Sequence, residues 1–192
     1  MDDDVSVNLP EQLQMIERET KRLGFSMPSD RQTGSLLSTL VTAKPAGKFL
    51  EIGTGTGLST SWLLSGMDGK SSLTSIEIDD KYQWVARQFF EQDKRFQLVA
   101  GDAGEWLRNN QSMKFDLIFA DAMSGKYMDF HVAWNMVAPG GFYIGDDMLP
   151  QDNWPENHQP RVDDLLGFFE TSHDCQYTHL AWSTGLIVAV KT

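Results

Sequence analysis

The sequence predicts an α/β fold of the doubly wound class, a mainly parallel seven-stranded sheet ending in a C-terminal antiparallel hairpin. Three observations carry this. Short apolar runs recur through most of the chain, each followed by a stretch with helical spacing. The first run ends in a glycine-rich turn, Gly53-Thr54-Gly55-Thr56-Gly57. The last two runs are separated by a tight turn alone, too little chain for a parallel return.

The elements follow in order. Leu9, Leu13, Ile16 and Leu23 predict a helix over 8–23, broken by Gly24-Phe25-Ser26-Met27-Pro28-Ser29. A second helix carries Leu36, Leu37, Leu40 and Val41 and ends near Lys44-Pro45-Ala46-Gly47. Strands are then expected at 48–52, 73–78, 96–100, 115–120 and 142–144. Helices between them hold Trp62-Leu63-Leu64, Tyr82 to Phe90, Trp106-Leu107 and His131 to Val137. Such alternation implies right-handed βαβ crossovers. A helix over 161–169 precedes strands at 176–182 and 186–190, joined by Ser183-Thr184-Gly185. One domain over 1–192 is expected, with residues 1–46 as N-terminal helices, which are also dimer or lid elements, and 47–192 as the core.

Composition bounds the function. At 192 residues, 41% apolar, 22% charged and a formal net charge of −11, the chain is globular and repels polyanions, which argues against nucleic acid and anionic membranes as partners. Asp2-Asp3-Asp4 reads as a solvated tail. The single cysteine, Cys175, leaves no internal disulfide and reads as a small buried thiol. No apolar run reaches the roughly 18 residues of a membrane span, and no signal peptide is recognisable, so a cytoplasmic location is expected.

The chemistry starts at the glycine turn. Gly53, Gly55 and Gly57 allow sharp turning and close approach of a ligand, and the helix beginning near Leu58-Ser59 turns its N-terminal amides to the same place. Such turns also hold dinucleotides. Glu51, two residues earlier, would repel a pyrophosphate but suits a cationic amino group. The acidic Glu77, at the end of the second strand, lies where ribose hydroxyls are usually met. Asp79 and Asp80 read as helix caps. Asp102 is either a cap or an acceptor for an adenine amine, and it can be both.

With these residues the chain resembles the class I S-adenosylmethionine-dependent methyltransferases, and within them the catechol and caffeoyl-CoA O-methyltransferase family. The resemblance runs from Met27, Ser29 and Gly34 through Leu50-Glu51-Ile52-Gly53, Ile76-Glu77-Ile78, Phe115 to Ala122 and Pro139-Gly140-Gly141 to Asp146-Asp147 and the closing hairpin. It implies the Rossmann-like fold of those enzymes. It also implies an S-adenosylmethionine site at Glu51, Gly53, Thr54, Gly55, Gly57, Ser59, Glu77, Asp102, Ala103 and Asp121. A divalent cation, Mg²⁺ or else Mn²⁺ or Ca²⁺, is implied at Asp121, Asp146 and Asp147, which fall at the carboxyl ends of strands.

Two departures stand out. Asp147 occupies a position where the family usually has asparagine, and Ser124 one where it usually has a lysine acting as base. Lys126 is two residues further on. It can substitute if the loop is reshaped, and it is otherwise a solvated lysine starting a helix. In the irregular stretch 149–160, Trp154 either stacks on a flat ring or anchors the loop, and His158 is a further candidate base. Asp121, Lys126 and His158 are therefore the catalytic candidates. The function expected is O-methylation of a small-molecule hydroxyl, phenolic or catechol-like, with metal assistance. The rivals are a nicotinamide-dependent oxidoreductase and a non-catalytic cofactor-binding module.

Overall fold

A computed structural model describes residues 8–151 and 154–192. The acidic triplet Asp2-Asp3-Asp4 lies outside the described residues, as do Asp152 and Asn153 of the irregular stretch. Among the described residues there are seven strands and seven helices, and the sheet order is β3-β2-β1-β4-β5-β7-β6. The chain divides into two compact units at Asp102/Ala103.

In the first unit, α1 (Leu13–Leu23) and α2 (Arg31–Thr42) precede β1 (Lys48–Ile52), α3 (Leu58–Gly66), β2 (Ser72–Glu77), α4 (Asp80–Phe90) and β3 (Phe96–Ala100). β1, β2 and β3 are parallel, with Ile52 beside Ile76 and Glu77 beside Ala100, so their carboxyl ends share one edge. α1 starts later than its apolar spacing suggests, because Pro10 precedes it. It ends at Gly24, whose left-handed φ of 68° lets its N–H reach back to Thr20 and Lys21 carbonyls. Asp30 caps α2 by accepting from the Thr33 N–H at 2.9 Å. Asp79 caps α4, accepting from the Lys81 N–H at 2.8 Å.

α3 is buried on nearly all sides, from Leu58 to Leu64. Such burial requires close neighbours. α2 comes against α3 where Gly34 meets the Trp62 indole, and Gly66 meets the Ser38 carbonyl. The strand β2 ends one residue before its apolar run does, leaving Ile78 exposed beyond it.

The second unit holds α5 (Ala103–Asn109), β4 (Phe115–Ala120), α6 (Phe130–Met136), β5 (Val137–Gly145), α7 (Gln159–Thr171), β6 (Cys175–Leu180) and β7 (Leu186–Lys191). β4 and β5 are parallel, and β5–β7 and β7–β6 antiparallel, as the short closing turn requires. β5 starts five residues earlier than its apolar run, because Pro139-Gly140-Gly141 is absorbed as an irregularity opposite Phe115 and Leu117. Phe130, Trp134, Tyr143, Phe168 and Phe169 pack edge-to-face as the core of this unit. Cys175 is buried at the start of β6. Among the described residues no helix is long and apolar enough to cross a membrane.

The α2–α3 contact gives a sign test. In an unobstructed helix Gly→Ala is stabilising by about 1 kcal/mol. Gly34→Ala should instead cost about 1–3 kcal/mol, since its Cβ would overlap the Trp62 ring and force repacking. Urea denaturation measures it, and a gain in stability would show that the indole yields freely.

Candidate functional site

The glycine turn of the first unit is built where β1 and β2 end together. The Gly53 and Thr54 N–H groups both donate to the Ile76 carbonyl, at 3.0 and 3.2 Å. Gly53, Gly55 and Gly57 have φ of 98°, 52° and 94°, a left-handed backbone that favours glycine. A Cβ on Gly57 would stand 2.8 Å from Phe90, and one on Gly55 3.2 Å from Phe25. Thr54 and Ser59 are buried beside the turn, while Gly53 and Gly55 retain surface.

Two carboxylates flank it. Glu77 accepts from the Gly55 N–H at 2.8 Å through one oxygen and from the Asp79 N–H at 2.9 Å through the other. It thereby clamps the turn to the end of β2, yet each oxygen keeps a lone pair for a further donor. Glu51 is fully buried. One of its oxygens accepts from Thr60 at 2.6 Å and from Ser75 at 2.5 Å, and Thr54 in turn meets the Ser75 hydroxyl. Its other oxygen makes no hydrogen bond of good geometry, although the Ser59 hydroxyl lies close to the carboxyl. Burial pushes the carboxyl up to about 7, against the hydroxyls of Ser59, Ser75 and Thr60, which pull it down, and with a small push from the Glu77 charge. An orphaned buried acceptor beside a glycine turn fits a cationic donor such as an amino group. Asp102 is exposed at the end of this unit, and Ala103 opens α5.

α1 and the segment after it complete this region, and periodicity alone does not reveal it. Thr20 donates to the Ile16 carbonyl, so the Thr56 hydroxyl donates to Thr20 at 2.6 Å. Phe25 lies against Gly55 and against Tyr82, with ring centroids 4.5 Å apart. Ile78, two-thirds exposed directly after Glu77, was masked by counting it with the strand.

In the second unit the register of β4 and β5 sets Ala120 beside Gly145, so Asp121 and Asp146 leave neighbouring strand ends. Asp146 is buried. Its Oδ1 accepts from the Asp147 N–H and the Thr184 hydroxyl, both at 2.8 Å. Burial first, and then the Asp147 charge, hold its carboxyl well above the usual carboxylate range. Asp147 has a left-handed φ of 60° and keeps a half-exposed side chain.

Lys126 enters this cluster. It is 3% exposed, and its Nζ donates to the Asp146 carbonyl at 2.9 Å and lies 3.4 Å from Asp147 Oδ2 and 3.9 Å from Asp121 Oδ1. The loop is reshaped to allow this. Gly125, at φ 78°, donates to the Met128 carbonyl, and its own carbonyl accepts from the buried Tyr143 hydroxyl at 2.8 Å. Lys126 is neither solvated nor in a helix. Ser124, at the position expected for a lysine, pairs across this turn with Met128. Among the described residues no three His, Cys, Asp or Glu side chains are grouped so that they could hold a metal, and the Lys126 ammonium lies near the Asp121 and Asp147 carboxylates.

Beside Lys126, Tyr127 meets His158, its hydroxyl 3.2 Å from Nε2. Trp154 lies on the His158 ring with centroids 4.3 Å apart. Partial burial, then the Lys126 charge, lowers the His158 pKa from its ordinary value, leaving a neutral imidazole near pH 7. Burial and the three aspartates raise that of Tyr127.

Comparison with known proteins adds to this geometry. A family model described as a methyltransferase domain matches residues 50–148. A "Putative O-methyltransferase" of Mycobacterium sp. (strain JLS) is 35% identical over 116 residues, 58% of this chain and 53% of that protein. The chain thus spans about half the length of the curated relatives it matches. The crystal structure of an O-methyltransferase from Bacillus cereus in complex with SAH is similar, with a TM-score of 0.82 and 25% identity, covering 98% of this chain and 94% of that one. TomG from Streptomyces achromogenes, solved with SAM, is similar in fold, with a TM-score of 0.83 and 20% identity over 97% of this chain and 92% of that one.

The buried Glu51 couples stability to pH. Its folded pKa of about 7 lies above the ordinary 4.5, so the folded state holds a proton that the unfolded state has released. Its contribution is complete below pH 4.5 and is lost as pH rises to about 7, a change on the order of 3 kcal/mol. Glu51→Gln, which keeps the shape of the protonated acid, should remove this slope. Melting curves of both proteins across that range test it, and parallel curves would refute the assignment.

Proposed function

Because the chain belongs to the methyltransferase domain family, we propose that it is an S-adenosylmethionine-dependent O-methyltransferase acting on a small-molecule hydroxyl. The observation that carries the reading is the carboxylate pair around the glycine turn. Glu77 holds the turn and has acceptor capacity left for ribose hydroxyls, and Glu51 presents a buried orphan oxygen. The main chain of Gly53, Thr54, Gly55 and Gly57, with the Ser59 hydroxyl, takes the rest of the methionine and ribose. Asp102 and the exposed Ile78 take the adenine. A dinucleotide would instead bring a pyrophosphate, which seeks donors, to a turn flanked by two carboxyl groups that offer it acceptors.

Adenosylmethionine supplies an electrophilic methyl group on a sulfonium. The acceptor oxygen takes the methyl carbon as the carbon–sulfur bond breaks, leaving the thioether, and the hydroxyl proton passes to a base. His158 accepts that proton, since it is neutral near pH 7 and held by Tyr127 and Trp154. Lys126 supplies a fixed positive charge that favours the developing oxyanion. The aromatic group of Tyr127, His158 and Trp154 favours a flat, phenolic or catechol-like acceptor. No step is assigned to a divalent cation.

Calorimetry with S-adenosylhomocysteine should show binding, and with nicotinamide dinucleotide none. The reverse result would make the protein an oxidoreductase. Glu77→Ala should weaken binding by roughly 1.5–3 kcal/mol, the loss of charge-assisted hydrogen bonds, and unchanged affinity would remove Glu77 from the site.

His158→Gln should lower kcat by about 10²–10⁴ on a phenolic acceptor with cofactor affinity unchanged. In the wild type kcat/KM should fall only on the acid side, below the ordinary histidine pKa of 6.5, and this limb should vanish in the variant. A limb that persists would assign the base elsewhere. Cofactor binding with no turnover on any acceptor would favour a binding module.

A further inference from the structure

We infer that Lys126 is the resident cation of the Asp121–Asp146–Asp147 cluster, standing in for a divalent metal, so that this site works without one. A catalytic role for this site rests on the methyltransferase reading; the charge arrangement is independent of it.

The geometry is specific to a lysine. Its Nζ has oxygens of three residues around it, at 2.9, 3.4 and 3.9 Å, which are ammonium–oxygen distances. Mg²⁺ and Ca²⁺ need about 2.0–2.6 Å and several oxygens together. The first of the three oxygens is the Asp146 main-chain carbonyl, and the Asp146 carboxylate turns away to Thr184 and the Asp147 N–H. The strand ends therefore supply the cluster with a neutral acceptor and two carboxylates, spaced for an ammonium group.

The lysine is also held there. Residue 126 points inward because Gly125 turns the chain in the left-handed region and Tyr143, fully buried, anchors the Gly125 carbonyl. A metal bound by Asp121 and Asp147 would have to expel Lys126 from a position that is 3% exposed, or sit beside it against strong like-charge repulsion. The extra charge at Asp147, relative to an asparagine, and the added cation at Lys126 then compensate each other.

Mn²⁺ titration followed by electron paramagnetic resonance tests this on the chelator-stripped full chain. The wild type should show no saturable binding up to about 1 mM, the weak limit of protein sites for divalent ions. Its methyl transfer should be unchanged by chelator. Lys126→Met should gain a saturable Mn²⁺ site that Asp121→Asn removes. Saturable Mn²⁺ binding by the wild type that is lost in Asp121→Asn, or transfer abolished by chelator, overturns the inference. The wild-type titration decides the question even if Lys126→Met does not fold. S-adenosylhomocysteine binding, measured on the same sample, separates the two claims: its absence would end the methyltransferase reading and leave the titration to judge Lys126.

Discussion

A carboxylate removed from water must be met by donors or by a cation, and this chain imposes that demand at the carboxyl ends of β1, β2 and β5. Glu51, Glu77 and Asp146 are all buried, and the turns that follow each strand are arranged around their needs. The glycine turn bends so that its Gly55 N–H meets Glu77. The hairpin turn brings Thr184 to Asp146. The loop after β4 doubles back to deliver Lys126.

The two units answer the demand differently. In the first, hydroxyls and main-chain N–H groups serve, and they satisfy only part of the available capacity. One oxygen of Glu51 is left without a hydrogen bond of good geometry, and its carboxyl is pushed up to about 7. A site with acceptors in reserve is suited to a ligand rich in donors, such as an amino acid joined to a ribose. In the second unit a full charge is brought in from the chain itself. Partial compensation leaves acceptor capacity in reserve, whereas an internal cation sets a fixed electrostatic field.

Much of this was legible in the chain. The alternation of apolar runs and helical stretches led to the strand and helix order, and the short closing turn required the antiparallel hairpin. Errors gathered at boundaries, where irregular backbone overrode the apolar pattern: Pro10 delays α1, and Pro139-Gly140-Gly141 extends β5 as a bulged strand. The pairing of Glu51 and Glu77 with a glycine turn was legible because β1 and β2 are parallel and in register, so sequence spacing fixes which residues reach the same edge.

The sequence by itself determined which residues stand at the strand ends, because the period of two and the parallel crossover leave few alternatives. Only the tertiary structure decided what those residues do to one another. Three aspartates at neighbouring positions read as a ligand set until the turn at Gly125 and the anchor at Tyr143, 18 residues away, carry Lys126 among them. Side-chain direction in a reshaped loop depends on contacts between residues distant in sequence. No spacing rule encodes those contacts, and so whether a lysine faces solvent or turns in among the aspartates was settled by packing alone.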